Sequence, residues 1–280
     1  MATGLTYRRA LRELAAFFDL EPTEEAVYRF RADSDPAEYA ARLLQATGTE
    51  LLLVDDGFPP EGEGTTWDEL GELARCEARP VLRIEAREPE AISDEVTTAR
   101  ERGFAALKTI AAYRGGLDRV ADLVVAALAA NEATGQPLPV QVHCGFGDSD
   151  LWLARADPSH LKPLVERFRD TPFVLLHCYP FVREAGWLAH VYGNVWFDLS
   201  LTIPHVARPV EALREALELA PVSKLLYASD AARTSELYYL ASKWWREALA
   251  EVLSEALPAD EAERDGRAIL RENALALYGL

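Results

Sequence analysis

Short apolar runs alternate with helical segments along most of this 280-residue chain, and this alternation constrains the fold more than any other feature. Each run is too short for a helix and is bounded by turn or polar residues, so each is predicted to be a strand. The predicted strands are Leu51–Val54, Val81–Glu85, Phe104–Thr109, Leu138–His143, Phe173–His177, Val195–Leu199 and Leu225–Asp230. Strands that alternate regularly with helices predict a parallel α/β sheet.

A (β/α)8 barrel of the TIM type fits the length and the alternation best. The alternative, a doubly wound sheet, normally has a glycine-rich turn after its first strand, and Asp55-Asp56-Gly57-Phe58 is not such a turn. Only seven strands are found, and three predicted helices precede them; two of these begin after the N-caps Thr23 and Asp35. We therefore predict one domain over residues 1–280, with a helical segment at 1–48 and a barrel that lacks its first strand at 49–280.

Composition and charge exclude several classes of protein. The net charge of −17 disfavours binding to nucleic acid or to an anionic membrane surface. No run approaches the roughly 20 apolar residues of a membrane helix, and the first residues lack the apolar core of a signal peptide. Three cysteines, an odd and small number, fit a reducing compartment. The sequence therefore predicts a cytoplasmic protein with a small-molecule substrate.

Polar side chains that suit a metal ion stand at the ends of several predicted strands. Lys108, His143, His177 and Asp230 each end a strand or directly follow its apolar run. Because the carboxyl ends of barrel strands meet at one face, these side chains are predicted to converge there. Imidazole nitrogen and carboxylate oxygen are ligands for Zn²⁺, and Mn²⁺ or Fe²⁺ are alternatives. A single histidine at a strand end is more often a hydrogen-bonded core residue, but two at successive strand ends favour metal binding.

Several longer motifs carry a family resemblance. They are Gly103–Leu117, Val142–Leu151, Leu176–Phe181 with Glu184–Trp187, Asn194–Asp198 and Ala228–Arg233. Taken together, they resemble the amidohydrolase superfamily of metal-dependent hydrolases and, within it, the amidohydrolase-2 branch. Within this branch, the chain resembles the region that is fused to a glutamine-synthetase-like domain in fungal FluG-type proteins and plant nodulin relatives.

The resemblance implies roles for particular residues. His143 and His177 correspond to the metal ligands of strands five and six of the family barrel. Asp230 corresponds to the aspartate of strand eight, which binds metal and acts as the general base for the attacking water. Lys108 occupies the strand-four position where some members carry a carboxylated lysine that bridges two metals. A lysine that binds a substrate carboxylate or forms a structural ion pair is the alternative.

One family feature is missing from the sequence. The first strand of the superfamily ends in His-x-His, but all five histidines of this chain lie at or beyond position 143. Either the chain starts downstream of the natural start, or its metal site is depleted. We therefore expect divalent metal to bind weakly or not at all. A barrel without its first strand also has two open sheet edges, which the N-terminal helices, a loop or a second copy of the chain would cover.

Other side chains are candidates for binding the substrate. They are Arg83 and Glu85, which alternate on one face of a strand; Tyr113 and Arg114 in the loop after the third strand; and Arg233 after Asp230. For Arg83 and Glu85, an internal ion pair is the alternative. His160, His190 and His205 are predicted to lie on the surface.

The sequence leaves three functions open. The first is a metal-dependent hydrolase of an amide or other C–N bond in a small substrate, with or without a carboxylate. The second is a non-oxidative decarboxylase, because the same family branch includes such lyases. The third is a non-catalytic barrel that has lost its metal site.

Overall fold

The computed structural model describes residues 4–58, 64–231 and 234–280 of the chain. Within them, seven strands form a single parallel sheet whose order follows the chain from β1 to β7. The strands are β1 Leu51–Asp55, β2 Glu77–Arg83, β3 Ala106–Thr109, β4 Val140–Cys144, β5 Phe173–His177, β6 Val195–Asp198 and β7 Leu225–Leu226. The sheet is an open barrel of the TIM type, which confirms the predicted fold class.

Helices surround the outer face of this sheet. They are α1 Leu5–Phe18, α2 Glu24–Asp33, α3 Pro36–Gln45, α4 Trp67–Ala74, α5 Ile92–Thr98, α6 Asp122–Ala133, α7 Lys162–Arg167, α8 Val182–Val191, α9 Thr202–His205, α10 Pro209–Leu217, α11 Ser235–Ala256, α12 Ala259–Arg267 and α13 Asn273–Tyr278. The two predicted N-caps are confirmed, because Thr23 accepts a hydrogen bond from the N–H of Ala26 and Asp35 accepts from those of Ala37 and Glu38. Among the described residues, no helix has the combined length and hydrophobicity needed to cross a membrane.

Two apolar clusters hold the barrel together. The larger one lies between the sheet and its helices, and it includes Trp244 and Trp245 of α11, which are both almost completely buried. The smaller one lies inside the barrel, where strand residues such as Val174 and Leu226 surround Tyr278 of α13. The C-terminal helix therefore contributes to the barrel interior as well as to its outer layer.

The barrel is open between β1 and β7. On the β7 side, the C-terminal segment covers the free edge, since the N–H of Tyr227 donates to the carbonyl of Ile269 and the amide of Asn273 donates to that of Leu225. On the β1 side, residues 51–55 line a large cavity, and no strand of the described residues pairs with this edge. A second copy of the chain at this edge stays a prediction.

Several predicted boundaries were wrong. Strand β2 begins at Glu77 and ends at Arg83, so that Glu85 lies in a short 3-10 helix, and β7 ends at Leu226 rather than at Asp230. The sequence also predicts one last helix from about Ala259 to Leu277, but a π-helical turn at Ala268–Glu272 interrupts it, and there the carbonyl of Ile269 accepts from the N–H of Tyr227 at the edge of β7. A helix was expected after the first strand, but without bounds; this helix is α4, and Thr66 begins it with a complete capping box.

Candidate active site

Three of the predicted ligands converge at the carboxyl ends of the strands. The ring nitrogens Nε2 of His177 and Nδ1 of His143 are 3.0 Å apart, and Nε2 of His177 lies 3.8 Å from Oδ2 of Asp230. Both histidines are buried, whereas the Asp230 side chain is one-third exposed. Two imidazoles and one carboxylate therefore meet at the wall of an open cavity of about 2260 Å³.

The backbone at these positions is unusual. His177, Cys178 and Asp230 all have a positive φ, at 67°, 65° and 46°. Side chains other than glycine rarely adopt this conformation, which costs of order 1–3 kcal/mol and is concentrated at functional sites. Two of the three converging residues, His177 and Asp230, have this strained backbone conformation. The strained turns therefore determine where these two side chains are placed.

The loops after β4 and β5 are fitted closely to each other. The N–H of Phe146 donates to the carbonyl of Tyr179 at 2.7 Å. Gly145 has φ +66°, and a Cβ there would lie 2.3 Å from the same carbonyl oxygen. Glycine is therefore required at position 145, and this contact fixes the loop that follows His143 against the loop that follows His177.

Two residues form hydrogen bonds with His177: Asp198, the last residue of β6, and Ser200, which follows shortly after it. Its Nδ1 lies 2.6 Å from the hydroxyl of Ser200, and its backbone N–H donates to Oδ1 of Asp198 at 2.8 Å. The same oxygen of Asp198 accepts from the hydroxyl of Ser200 at 2.7 Å and from its N–H at 2.9 Å. Burial raises the pKa of Asp198 to about 6, although these hydrogen bonds oppose the shift.

Burial also keeps both imidazoles neutral. Loss of solvation lowers the pKa of His143 and of His177 well below the ordinary histidine value, and the nearby positive charge of Lys108 lowers both further. A neutral imidazole has one nitrogen with a free lone pair, which is the form that binds a metal. The two histidines are therefore ready to act as ligands at neutral pH.

Lys108 forms an ion pair in this structure. Its Nζ lies 3.1 Å from Oδ2 of Asp55, the last residue of β1, and Arg83 of β2 binds the same carboxylate in a two-pronged contact. Burial alone would raise the pKa of Asp55, but Lys108 and Arg83 together lower it. Two cations share this one carboxylate, and the Asp230 carboxylate is the second negative charge near the histidines. An ammonium group paired in this way fits the ion-pair alternative for Lys108.

The other predicted substrate-binding residues have different positions. Tyr113 lines the cavity beside the His143 ring, and its hydroxyl accepts from the N–H of Asp148. Arg114 lines the cavity from an exposed position. Glu85 does not line it; its carboxylate instead accepts from the Thr109 hydroxyl and the N–H of Ile110, which anchors the loop after β3. Arg233 lies outside the described residues.

Sequence reasoning missed several residues of this site. Asp198 stood within a recognised motif but had no assigned role, and Ser200 was not considered, because a serine two residues beyond a strand gives no signal by itself. His205 is exposed, as predicted, yet it lines the cavity with its ring 5.1 Å from that of Phe146. His205 is the last residue of the short helix α9, and no sequence motif in this segment indicates a site residue.

The chemistry of the donor set fits a divalent cation, although the set is small. Nε2 of His143 is buried and has no hydrogen-bond partner among the described residues, so a lone pair or N–H is left unsatisfied. Within the same residues, no group of three or more His, Cys, Asp or Glu side chains is assembled closely enough to hold a metal without rearrangement. The site thus has ligands of the right chemical type, but the described residues do not arrange them around a single cation position.

Comparison with known proteins decides the family. The sequence model of the amidohydrolase family matches residues 73–280, about three quarters of the chain. This chain belongs to the amidohydrolase family. The match covers β2 to β7 entirely, and His143, His177 and Asp230 lie within the matched range.

Individual proteins are also similar to this amidohydrolase over nearly its whole length. Protein fluG of Emericella nidulans is 27% identical over 99% of this chain, which spans only 41% of the length of that relative. A candidate metal-dependent hydrolase from Lactobacillus casei is also 27% identical, with a TM-score of 0.85 over 99% of this chain and 85% of its own. Uronate isomerase from Thermotoga maritima superposes with a TM-score of 0.65 over 99% of this chain and 79% of its own, but at 13% identity the likeness shows the fold alone. The family and the hydrolase neighbour together imply a divalent metal.

Proposed function

We propose that this amidohydrolase hydrolyses an amide or other C–N bond of a small substrate that carries a carboxylate. The observation that carries the proposal is the convergence of His143, His177 and Asp230 at the carboxyl ends of a barrel of this family. Side chains at this face carry the chemistry of TIM-type enzymes.

His143, His177 and Asp230 are the residues that would hold the divalent metal. A divalent metal, when bound, lowers the pKa of a water molecule and polarises a carbonyl group. Zn²⁺ suits two imidazoles and a carboxylate, and Mn²⁺ or Fe²⁺ are the alternatives.

Asp230 is the base in this proposal. It is the partly exposed member of the group, so a water molecule that enters the cavity can reach its carboxylate. The carboxylate takes a proton from the water as the water oxygen bonds to the substrate carbonyl carbon. The C–N bond then breaks, and the same proton passes from Asp230 to the departing nitrogen, so that the products are a carboxylic acid and an amine.

The two cations Arg83 and Lys108 support a substrate with a carboxylate. Both cations line the cavity, and Asp55 neutralises only one of them. An arginine can bind a carboxylate through two parallel hydrogen bonds, so the exposed Arg114 is the main proposed binding residue, and Arg83, whose guanidinium already binds Asp55, contributes positive charge.

The test uses chelator-treated protein reloaded with Zn²⁺, Mn²⁺ or Fe²⁺ and a panel of N-acyl amino acids. Release of the free amine is followed in one assay and release of CO₂ in another. We expect amine release that needs the metal and is lost in the Asp230→Asn variant. Release of CO₂ without amine would show a decarboxylase, and the absence of both with every metal would show a non-catalytic barrel.

A further inference from the structure

Tyr238 lies on the first turn of α11, at the wall of the cavity that holds the candidate active site. It is half-buried, and it lines the same cavity as His177 and Asp230. Burial and, after it, the negative charge of Asp230 raise the pKa of Tyr238 to about 12, which places the two side chains near each other. The tyrosine lies beyond the motif that contains Asp230, so the sequence gave it no role.

The hydroxyl of Tyr238 has no hydrogen-bond partner within the part of the chain that the structure describes. A phenol that is removed from water usually has such a partner. Two other tyrosines follow this rule, because Tyr39 donates to Glu236 and Tyr278 accepts from Gln141, each at 3.0 Å. The hydroxyl hydrogen of Tyr238 is therefore available to a molecule in the cavity.

An ion pair beside Tyr238 fixes the turn on which it lies. Oε1 of Glu236 accepts from the hydroxyl of Tyr39 on α3 and lies 2.9 Å from Nε of Arg31 on α2. The Glu236 side chain is only 9% exposed. Because β7 pairs with the sheet through just two residues, this anchor to the N-terminal helices holds the start of α11 in place. A donor that is fixed in advance needs little reorganisation when the substrate reacts.

We propose that Tyr238 is a further catalytic residue, whose hydroxyl donates a hydrogen bond to the substrate carbonyl oxygen as that oxygen becomes negatively charged. The inference rests on the proposed function, because the oxygen gains this charge when the water oxygen bonds to the carbonyl carbon. Tyr238 keeps its proton throughout, and the proton that reaches the departing nitrogen still comes from Asp230. An interaction that is strongest in the transition state increases kcat rather than lowering KM.

The adjacent residue Tyr239 is a closely matched control. Its ring packs against that of Phe17 on α1, with the centroids 4.4 Å apart, and it is not among the described residues that line the cavity. Its hydroxyl also has no hydrogen-bond partner within the described ranges. Tyr238→Phe and Tyr239→Phe therefore each remove one unpartnered hydroxyl from the same helix, but only the first removes it from the cavity.

The first measurement is steady-state kinetics of the wild type and the two variants. Each protein is loaded with the metal and given the N-acyl amino acid that support the fastest amine release by the wild type. We expect kcat of Tyr238→Phe to fall by about 10²- to 10³-fold with KM little changed, as for the loss of one donor to a developing oxyanion. Tyr239→Phe should keep both constants within about twofold of the wild type.

The second measurement separates this role from a structural one. Urea unfolding of the metal-free proteins and the bound metal per chain are compared for the wild type and both variants. We expect the same unfolding midpoint and the same metal content in all three, because neither hydroxyl forms a hydrogen bond in the described structure. A Tyr238→Phe variant that fails to fold or unfolds at clearly lower urea would show a structural partner for the hydroxyl and overturn the inference.

The kinetic outcomes decide the rest. A normal kcat in Tyr238→Phe, with an active wild type, would overturn the inference and leave the proposed function standing. An equal loss of kcat in Tyr239→Phe would also overturn it, since the effect would not come from the hydroxyl in the cavity. A wild type that releases no amine with any metal would contradict the proposed function and this inference with it.

Discussion

At the scale of single residues, the site depends on where strand ends place three side chains. The positions of His143, His177 and Asp230 could be predicted, because a parallel barrel brings the ends of its strands to one face. The contacts behind them could not be predicted. Ser200 reaches the His177 ring only because the chain turns back immediately after β6, and no local pattern in the sequence specifies this turn.

Asp230→Asn tests the proposed base. Asparagine keeps the shape of the side chain and a carbonyl oxygen, but it cannot take the proton of the attacking water. We expect kcat to fall by about 10²- to 10⁴-fold with KM little changed. Steady-state kinetics at equal metal content check this, and a near-normal kcat would refute the role of Asp230.

Gly145→Ala tests the fit between the two loops that follow the histidines. The added Cβ would meet the carbonyl of Tyr179 in addition to the strain of a positive φ, so we expect a loss of at least about 2 kcal/mol in the free energy of unfolding. Gly135→Ala is the matched control, because Gly135 also has a positive φ but no atom within 4 Å of the added Cβ. Urea unfolding of both variants measures the difference, and equal losses would show that the contact with Tyr179 has no energetic role.

At the scale of elements, six of the seven strands were located to within a few residues because each is a compact apolar run. Strand β7 was overestimated, since only Leu225 and Leu226 pair with β6 and the following residues diverge toward the cavity. The interruption of the last helix could not be predicted either. A hydrophobic periodicity shows which face of a helix is buried, but not that one turn widens to reach a neighbouring strand.

Helix α13 has a second role that the sequence did not indicate. Tyr278 is buried inside the barrel, and its hydroxyl forms a 3.0 Å hydrogen bond with the side-chain amide of Gln141 on β4. The C-terminal helix thus fills interior space near the open gap between β1 and β7.

Substitutions of Tyr278 measure this contribution. We expect Tyr278→Ala to lower the free energy of unfolding by about 3–5 kcal/mol through the cavity it leaves, and Tyr278→Phe by about 1 kcal/mol through the lost hydrogen bond. Tyr28, which is half exposed on α2, is the control, and its change to alanine should cost no more than about 0.5 kcal/mol. A similar small loss for Tyr278→Ala would mean that α13 does not support the barrel.

At the scale of the whole molecule, the buried histidines make stability depend on pH. Their pKa values are lowered in the folded protein, so the unfolded chain binds more protons below about pH 6.5 and folding becomes less favourable as the pH falls. Asp198 has the opposite effect on stability. Its pKa is raised to about 6 in the folded protein, so the folded protein binds this proton more readily than the unfolded chain, and folding becomes more favourable as the pH falls.

Between pH 7.5 and pH 6.0 both effects operate, so comparison with a variant that lacks one histidine isolates the effect of that histidine. We expect each of the two histidines to lower the unfolding free energy of the metal-free protein by about 0.8 kcal/mol across this interval, and Asp198 to offset part of the loss. In His177→Gln, which cannot titrate, the loss should be smaller by one such contribution. Urea unfolding at the two pH values tests this, and an equal loss in both proteins would contradict the neutral, buried state of His177.

The central claim is that His143, His177 and Asp230 form one metal site, and anomalous X-ray diffraction from crystals soaked in Zn²⁺ tests it most directly. We expect a peak at the zinc edge at the carboxyl ends of β4 and β5, about 2.0–2.1 Å from Nε2 of His177 and from one ring nitrogen of His143, and within about 2.2 Å of an Asp230 oxygen. No peak there at a saturating Zn²⁺ concentration, or a peak only at other residues of the chain, would contradict the claim.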